Sequence, residues 1–288
     1  MNPLIFLAQT LRISVPYLFA ASGGVVAERA GIVSLTLEGF MLSGAFGAVL
    51  GSFYSGNAWV GVLCGIGAGL ACAALHALAS IRFRADQIVV GIAINLLVIG
   101  ATRFFLQLAF DSSSNSPRVE GFSTAAGGLA NPLIWLALLS VAGVWWMTDR
   151  TVLGLRIRAV GEHPAAAQAS GLSVNRLRFI AVAMSGLFAG LGGVYLALDQ
   201  HQFTDNMAAG RGFIALAAVI FGRWQPLRAA IACILFAAAE TLQIQLQGST
   251  VMPTQFVQMI PYVLTIIALA GLVGRAVPPA ALGRPGTE

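Results

Sequence analysis

The stretch WVGVLCGIGAGLACAALHALASI, Trp59–Ile81, decides the fold, because it contains no Asp, Glu, Lys or Arg. A bilayer core about 30 Å thick is crossed by roughly 20 helical residues, so this stretch predicts a membrane-spanning helix. Gly61, Gly65 and Gly69 recur within it at four-residue spacing. Such spacing favours close packing between helices in a membrane.

The rest of the chain has the same character. Of 288 residues, 58% are hydrophobic and 9% are charged, whereas soluble domains carry about 25% charged residues. Eight more apolar segments are predicted: Ile13–Ala27, Ser34–Gly51, Ile88–Ala109, Pro132–Thr148, Phe179–Leu198, Gly212–Phe221, Ala229–Leu246 and Phe256–Val273. The first and seventh of these nine segments are short, and either one could be re-entrant. The sequence therefore predicts an all-α, polytopic transmembrane helix bundle with about 8–10 membrane segments in a single domain, 1–288.

Several function classes are excluded by residue types. All 16 basic residues are arginine, so the chain lacks the lysine of a phosphate-binding loop, and we expect no ATPase within it. Cys64, Cys72 and Cys233 lie in apolar segments without metal-ligand spacing, which predicts neither a metal nor another cofactor. We find no catalytic triad pattern and expect no enzyme. The basic pI of 9.7 is attributed to membrane topology, and no nucleic acid is expected as a partner.

The arginines predict an orientation. If Asp149–Arg178 is cytoplasmic, alternation of the spans puts most arginines on the cytoplasmic side: Arg29, Arg82, Arg84, Arg150, Arg156, Arg158, Arg176, Arg178, Arg223, Arg228, Arg275 and Arg284. Arg12, Arg118 and Arg211 fall outside, and Arg103 falls within a span. Cytoplasmic loops of membrane proteins are enriched in Lys and Arg, so the amino terminus is predicted outside and the carboxyl terminus in the cytoplasm.

The loop 150–178 contains the segment GEHPAAAQASG, Gly161–Gly171. Pro164 suits the first helical position, Glu162 complements the positive helix end, and Gly171 suits the turn after the last residue. This pattern predicts a helix of about two turns, which is too short to be stable alone and must pack against another surface. Its alanines, Ala165, Ala166, Ala167 and Ala169, would allow close approach of a partner. Arg156, Arg158, Arg176 and Arg178 would flank it at the membrane surface, and for these arginines alone a solvated positive loop is an adequate interpretation.

Polar side chains within the apolar segments are candidates for a translocation pathway, because charges at mid-bilayer cost about 2.5–3.5 kcal/mol. Glu240, Gln243 and Gln247 follow one another at spacings of three and four, which predicts a wet or paired helix face. Glu38 fits equally a favourable position at a helix start and a contact with solute. Asn95 fits an interhelical hydrogen bond better than a solute contact. His76 is interpreted as a hydrogen-bonded core residue.

Four ordered motifs carry a family resemblance over nearly the whole chain: ERAGIVSLTLEGFMLSGAFGAVLGS (Glu28–Ser52), RADQIVVGIAINLL (Arg84–Leu97), GLRIRAVGEHPAAAQASGLSVNRLRFIAVAMSGLFAGLGGVYLAL (Gly154–Leu198) and GRGFIALAAVIFGRWQP (Gly210–Pro226). The chain resembles permease subunits of bacterial ABC importers that serve branched-chain amino acids, ribose-type sugars and nucleosides. Within that group it looks most like nucleoside and simple-sugar permeases.

The resemblance implies a permease domain in the bacterial inner membrane that pairs with a second permease subunit, cytoplasmic ABC ATPase subunits and an external solute-binding protein. It also implies that the loop 150–178 docks a coupling helix onto the ATPase. The residues concerned are Gly161, Glu162, His163, Pro164, Ala165, Ala166, Ala167, Ala169 and Gly171. The alternatives are a branched-chain amino acid permease of the same group, an ion-coupled secondary transporter using Glu38 or Glu240, and a scaffold that moves no solute.

Overall fold

The computed structural model describes residues 3–122, 130–247 and 277–284. Within these ranges the chain forms ten α-helices and no β-strand: α1 (Pro3–Arg29), α2 (Leu37–Ser55), α3 (Ala58–Ala77), α4 (Gln87–Phe110), α5 (Pro132–Arg150), α6 (Val152–Glu162), α7 (Pro164–Ala169), α8 (Val174–Gln200), α9 (Arg211–Phe221) and α10 (Pro226–Leu246). A π-helical turn, Leu78–Arg82, extends α3. The predicted span Phe256–Val273 lies outside the described residues.

Six of these helices are long and apolar enough to cross a membrane: α1, α3 with its extension, α4, α5, α8 and α10. The predicted all-α polytopic bundle is therefore confirmed. The predicted segments within the described ranges correspond to helices whose ends differ by a few residues, apart from the first. That segment was expected to be short, but α1 has 27 residues and begins at Pro3. Arg12 interrupts the apolar pattern, and its charge is neutralised by an ion pair with Asp199 at 3.0 Å.

The centre of the bundle is α2, which packs between α3 and α8 with most of its side chains buried. Glycines allow these helices to approach closely. A Cβ atom added at Gly65 would lie 2.7 Å from the Gly44 carbonyl oxygen, and one at Gly69 would lie 2.6 Å from that of Gly186. The close packing predicted from the four-residue glycine spacing is confirmed at these crossings.

The short seventh predicted segment is confirmed as α9, which has 11 residues. At 1.5 Å per residue it is about 16 Å long, roughly half the thickness of a bilayer core. Non-helical chain precedes it, and there Phe203 is fully buried and its N–H donates to Ser116 Oγ at 2.9 Å. Non-helical backbone within a membrane protein is stable where it is buried in protein, as it is here.

The loop 150–178 contains one helix that the sequence analysis missed. This helix, α6, begins where the Gly154 N–H donates to Thr151 Oγ1 at 3.2 Å. Gly154, Ile157, Val160 and Gly161 form its buried face. The loop is therefore a folded unit that lies against the bundle, rather than a single short helix in solvent.

Candidate functional site

The predicted short helix of this loop is present as α7, whose six residues make slightly less than the expected two turns. Pro164 is its first residue, and Gly171 adopts a left-handed conformation with φ +82° just beyond its end. The Gly171 N–H donates to the Gln168 carbonyl at 2.9 Å, and the Leu172 N–H donates to that of Ala167 at 3.0 Å. Both ends of the helix thus follow the signals in the sequence.

The alanines of α7 divide between two faces. Ala165, Ala166 and Ala169 are exposed, and these small side chains leave the helix backbone open to close approach. Ala167 is only 5% exposed and packs with Val160, Val174 and Leu177. Ala167 therefore anchors α7 to α6 and α8, which corrects the expectation that all four alanines face a partner.

Glu162 and Gly161 contact the carboxyl-terminal segment, 277–284. Glu162 is the last residue of α6, and its carboxylate accepts a long hydrogen bond of 3.4 Å from the Ala280 N–H. The Gly161 carbonyl accepts a hydrogen bond from the Ala281 N–H at 2.9 Å. Glu162 was expected to complement the start of α7, but its carboxylate instead contacts the Ala280 N–H. His163 precedes α7 and is exposed.

The carboxyl-terminal segment also contacts α4, α8 and the turn that follows α1. Its Arg284 carbonyl accepts hydrogen bonds from Gln87 Nε2 and Arg178 Nη1, each at 3.3 Å. Its Gly283 N–H donates to the Gly31 carbonyl at 3.2 Å. Arg178 is 1% exposed, so it is a buried residue that binds backbone carbonyls, and the expectation that it flanks the loop at the membrane surface is wrong. Arg156 and Arg176 are exposed, as expected.

A second buried junction joins the end of α1 to the end of α9, and the sequence analysis missed it. Trp224 Nε1 donates to Glu28 Oε2 at 2.5 Å, and the Ser34 N–H donates to the other carboxylate oxygen at 3.2 Å. Arg29 Nε donates to the Trp224 carbonyl at 2.6 Å. Glu28 and Trp224 both lie in the quoted motifs, but nothing in the sequence pairs two residues so far apart.

Glu38 binds the start of α9. Its two carboxylate oxygens accept hydrogen bonds from the N–H groups of Gly210 and Gly212, each at 2.7 Å, and the residue is 4% exposed. Glu38 itself lies in the first turn of α2. Negative charge is favoured at the amino-terminal ends of helices, so the carboxylate stabilises both α2 and α9.

Asn95 of α4 holds the chain that enters α2. Its Oδ1 accepts a hydrogen bond from the Gly39 N–H at 2.9 Å, and its Nδ2 donates to the Leu35 carbonyl at 2.9 Å. This is the interhelical role that the sequence favoured. His76 is likewise buried and hydrogen-bonded, with Nδ1 2.7 Å from Thr36 Oγ1.

Glu240 lies in a polar cluster within the bundle. One carboxylate oxygen pairs with Arg211 Nη2 at 3.2 Å, and the other accepts a hydrogen bond from Tyr17, near the middle of α1. Arg211 is the first residue of α9, and its guanidinium lies against α10 through this ion pair. Further along α10, Gln243 is half-buried and Gln247 is exposed. Across the described residues, no group of three His, Cys, Asp or Glu side chains is placed to hold a metal ion.

Comparisons with known proteins agree with this architecture. Residues 6–269 match the family described as the permease component of branched-chain amino acid transport systems. The guanosine ABC transporter permease NupQ of Bacillus subtilis is 40% identical, covering 98% of this chain and 96% of NupQ. The nucleoside ABC transporter permease NupC of Lactococcus lactis is 36% identical, and the match covers 97% of this chain and 95% of NupC. A metal-chelate type ABC transporter solved in an inward-facing conformation shares the fold, with a TM-score of 0.54 and 15% sequence identity. The match covers 93% of this chain and 86% of that transporter chain.

Proposed function

Since the chain belongs to the family of ABC permease components described for branched-chain amino acid transport systems, we propose that it imports a nucleoside as the membrane-spanning subunit of an ATP-driven transporter. The observation that carries this proposal is the 40% identity with a guanosine permease over 98% of the chain. A simple sugar is the second solute class. The chain itself is a multi-pass membrane protein, and ATP hydrolysis is assigned to separate ATPase subunits.

The folded loop 150–178 is the proposed contact with the ATPase. Exposed Ala165, Ala166 and Ala169 give α7 a narrow open face, and a six-residue helix depends on packing for its stability. Buried Ala167 fixes α7 to α6 and α8. A force applied to the open face of α7 therefore acts directly on α8, one of the helices that pack around α2.

The proposed solute pathway follows the side of α10 that carries Glu240, Gln243 and Gln247. Support comes from the ion pair of Glu240 with Arg211 and from the increasing exposure from Gln243 to Gln247. Glu38 and Asn95 have a supporting role, since their polar atoms bind backbone groups at the starts of α9 and α2, respectively. They position the helices rather than contact the solute.

Ion-coupled transport fits these contacts less well. A carboxylate that carries a proton or sodium ion through the membrane has to exchange its partners for that ion. Glu38 accepts two backbone hydrogen bonds at 2.7 Å, and Glu240 is paired with Arg211. Both candidate carboxylates are thus already engaged in contacts that hold the fold together.

The proposed location is the bacterial inner membrane, with the amino terminus outside and the carboxyl terminus in the cytoplasm. The loop that carries Arg156, Arg158 and Arg176 then faces the cytoplasm, in agreement with the positive-inside rule. The same face carries the carboxyl-terminal segment, which is hydrogen-bonded to that loop through Gly161. The remaining proposed partners are an external solute-binding protein and a second permease subunit.

Reconstitution tests the proposed function. The chain is placed in proteoliposomes with the ATPase, binding protein and any second permease from its own transport system, and uptake of labelled guanosine is measured. We expect uptake that requires ATP and persists when an ionophore removes ion gradients. Uptake that survives without ATP and stops with the ionophore would establish the ion-coupled alternative, and transport of leucine alone would replace the nucleoside by a branched-chain amino acid.

A further inference from the structure

A cavity of about 150 Å³ is formed by the end of α1, by α6, by the turn between α9 and α10 and by the carboxyl-terminal segment. Its wall includes three basic side chains and one acidic side chain: Arg29, Arg158, Arg223 and Glu162. Both α1 and α10 are long and apolar enough to span a membrane, so the cavity, at the end of α1 and the start of α10, lies at the membrane surface. Each water molecule occupies about 30 Å³ of liquid, so the cavity has room for a small anion in place of several waters.

The cavity carries an excess of positive charge. Arg29 pairs with Asp149 at 3.4 Å, but among the residues that the structure describes neither Arg158 nor Arg223 forms an ion pair. Arg158 is half-buried and lies close enough to Arg29 for their positive charges to repel each other. Glu162 and Asp149 together supply two negative charges against three positive ones. An anion in the cavity would remove this imbalance and the repulsion between the arginines.

The backbone that presents two of these arginines is held in place. Arg29 Nε donates to the Trp224 carbonyl at 2.6 Å, and Trp224 Nε1 donates to Glu28 Oε2. Arg223 and Trp224 both have left-handed backbone, with φ +51° and +56°. This conformation is unfavourable for residues with a Cβ atom and persists where neighbouring contacts hold it. The turn that carries Arg223 is thus locked to the end of α1.

Guanidinium groups bind phosphate oxygens through paired, charge-assisted hydrogen bonds. Basic pockets between the cytoplasmic ends of membrane helices bind anionic lipid head groups. We propose that this cavity binds an anionic phosphate group, with Arg158 and Arg223 as its main contacts. The phosphate belongs to a lipid head group or is free in the cytoplasm, and the position at the membrane surface favours the lipid. The bound group joins α6 to the turn before α10, and the inference does not depend on the identity of the transported solute.

Thermal unfolding of the purified chain tests the site, because a ligand of the folded state raises the unfolding midpoint. The full chain in an uncharged detergent is titrated with dioctanoyl phosphatidylglycerol, dioctanoyl phosphatidylcholine or inorganic phosphate at constant ionic strength. We expect phosphatidylglycerol to raise the midpoint and phosphatidylcholine, which has no net charge, to leave it unchanged. Stabilisation by phosphatidylglycerol alone identifies a lipid head group, whereas equal stabilisation by inorganic phosphate identifies a free anion.

Arg158→Gln and Arg223→Gln each remove one positive charge from the cavity wall. We expect either variant to raise the half-stabilising concentration of the anionic probe about fivefold, the usual effect of one arginine at an anionic lipid surface. Arg176→Gln is the matched control, because Arg176 is exposed near the start of α8 and does not line the cavity. It should leave that concentration unchanged. Since two wall variants are made, a failure of one to fold leaves the other to decide.

Three results would overturn the site: no stabilisation by either anionic probe, equal stabilisation by phosphatidylcholine, or an equal shift in Arg176→Gln. Co-purification with the ATPase is measured on the same variants. If neither anionic probe acts and Arg158→Gln weakens this association while Arg176→Gln does not, the cavity binds an acidic side chain of the ATPase and the phosphate proposal is wrong. Guanosine uptake is not a readout here, so failure of this site and failure of the proposed function are distinguished.

Discussion

At the scale of single residues, the polar groups within the bundle mainly hold backbone in place. Glu38 accepts hydrogen bonds from backbone N–H groups at the start of α9, and Asn95 binds backbone groups next to the start of α2. Such groups carry no intrahelical hydrogen bond, and leaving one buried without a partner costs about 1–3 kcal/mol. A polar residue inside an apolar segment is therefore not by itself a sign of solute contact.

Glu38→Gln tests whether Glu38 is structural. The amide retains one acceptor oxygen and places an NH₂ group against a backbone N–H, so we expect a loss of about 1–3 kcal/mol in stability. At about 2–4 °C for each kcal/mol, the midpoint of thermal unfolding in detergent should fall by several degrees. Glu120→Gln, on an exposed side chain, is the control and should have no effect. An unchanged midpoint combined with lost uptake would instead assign Glu38 to the pathway.

At the scale of helices, α7 offers two alanine positions with opposite expectations. Ala166→Trp adds bulk to the exposed face, so we expect normal abundance in the membrane but loss of ATPase co-purification and of coupled ATP hydrolysis. Ala167→Glu places a charge among Val160, Val174 and Leu177, and burying an unpaired charge is costly. We therefore expect reduced abundance, and this variant cannot report on coupling.

The control for Ala166→Trp is Ser113→Trp, at an exposed position in the loop that follows α4. It adds the same bulk at the opposite end of the bundle and should leave ATPase association unchanged. If Ala166→Trp retains normal association and uptake, α7 is not the coupling helix. Both abundance and co-purification are measured on the same membranes, so that misfolding is not taken for lost docking.

The long helices could be predicted from the sequence because hydropathy over about 20 residues is a local property. The start of α1 could not be predicted, because Arg12 interrupts its apolar pattern. The residue that neutralises this charge is Asp199, 187 positions further along the chain. The buried face of α6 was missed for a different reason: two of its four residues are the glycines Gly154 and Gly161, which have no apolar side chain to reveal a periodic pattern.

The candidate site was only partly predictable. The bounds of α7 follow from Pro164 and Gly171, which are local signals. The partner of Glu240 on α1 is Tyr17, 223 positions away, and no sequence spacing announces such a contact. The spacing of Glu240, Gln243 and Gln247 predicts a polar helix face, but the partners of Glu240 on α1 and α9 became visible only in the packed bundle.

At the scale of the whole molecule, contacts form a continuous path from the loop 150–178 to the centre of the bundle. Gly161 lies directly against the backbone of Arg29 at the end of α1. Glu28 then joins α1 to Trp224 beyond α9, and Glu38 joins the start of α9 to α2. Packed side chains and hydrogen bonds of this kind transmit displacements between distant sites. Movement of the loop should therefore alter the region around α9 and α10.

Cysteine accessibility tests this expectation together with the proposed pathway. Gln243→Cys and Gln247→Cys, made in a Cys64→Ala background that removes the exposed native cysteine, should react with a hydrophilic thiol reagent, because these side chains are half-buried and exposed, respectively. We expect the reaction rate of at least one of these two cysteines to change severalfold between the nucleotide-free and the ATP-bound transporter. In alternating access, the two conformations expose different parts of the pathway to water. Two exposed loop positions are controls for sidedness. Ser113→Cys should react with a membrane-impermeant reagent in intact cells, at a rate independent of nucleotide. Ser170→Cys, next to α7, should react only after permeabilisation. If both cysteines are protected in every nucleotide state, this face of α10 packs against other helices and does not line the pathway. If Ser170→Cys reacts in intact cells and Ser113→Cys only after permeabilisation, the orientation is the opposite of the one proposed.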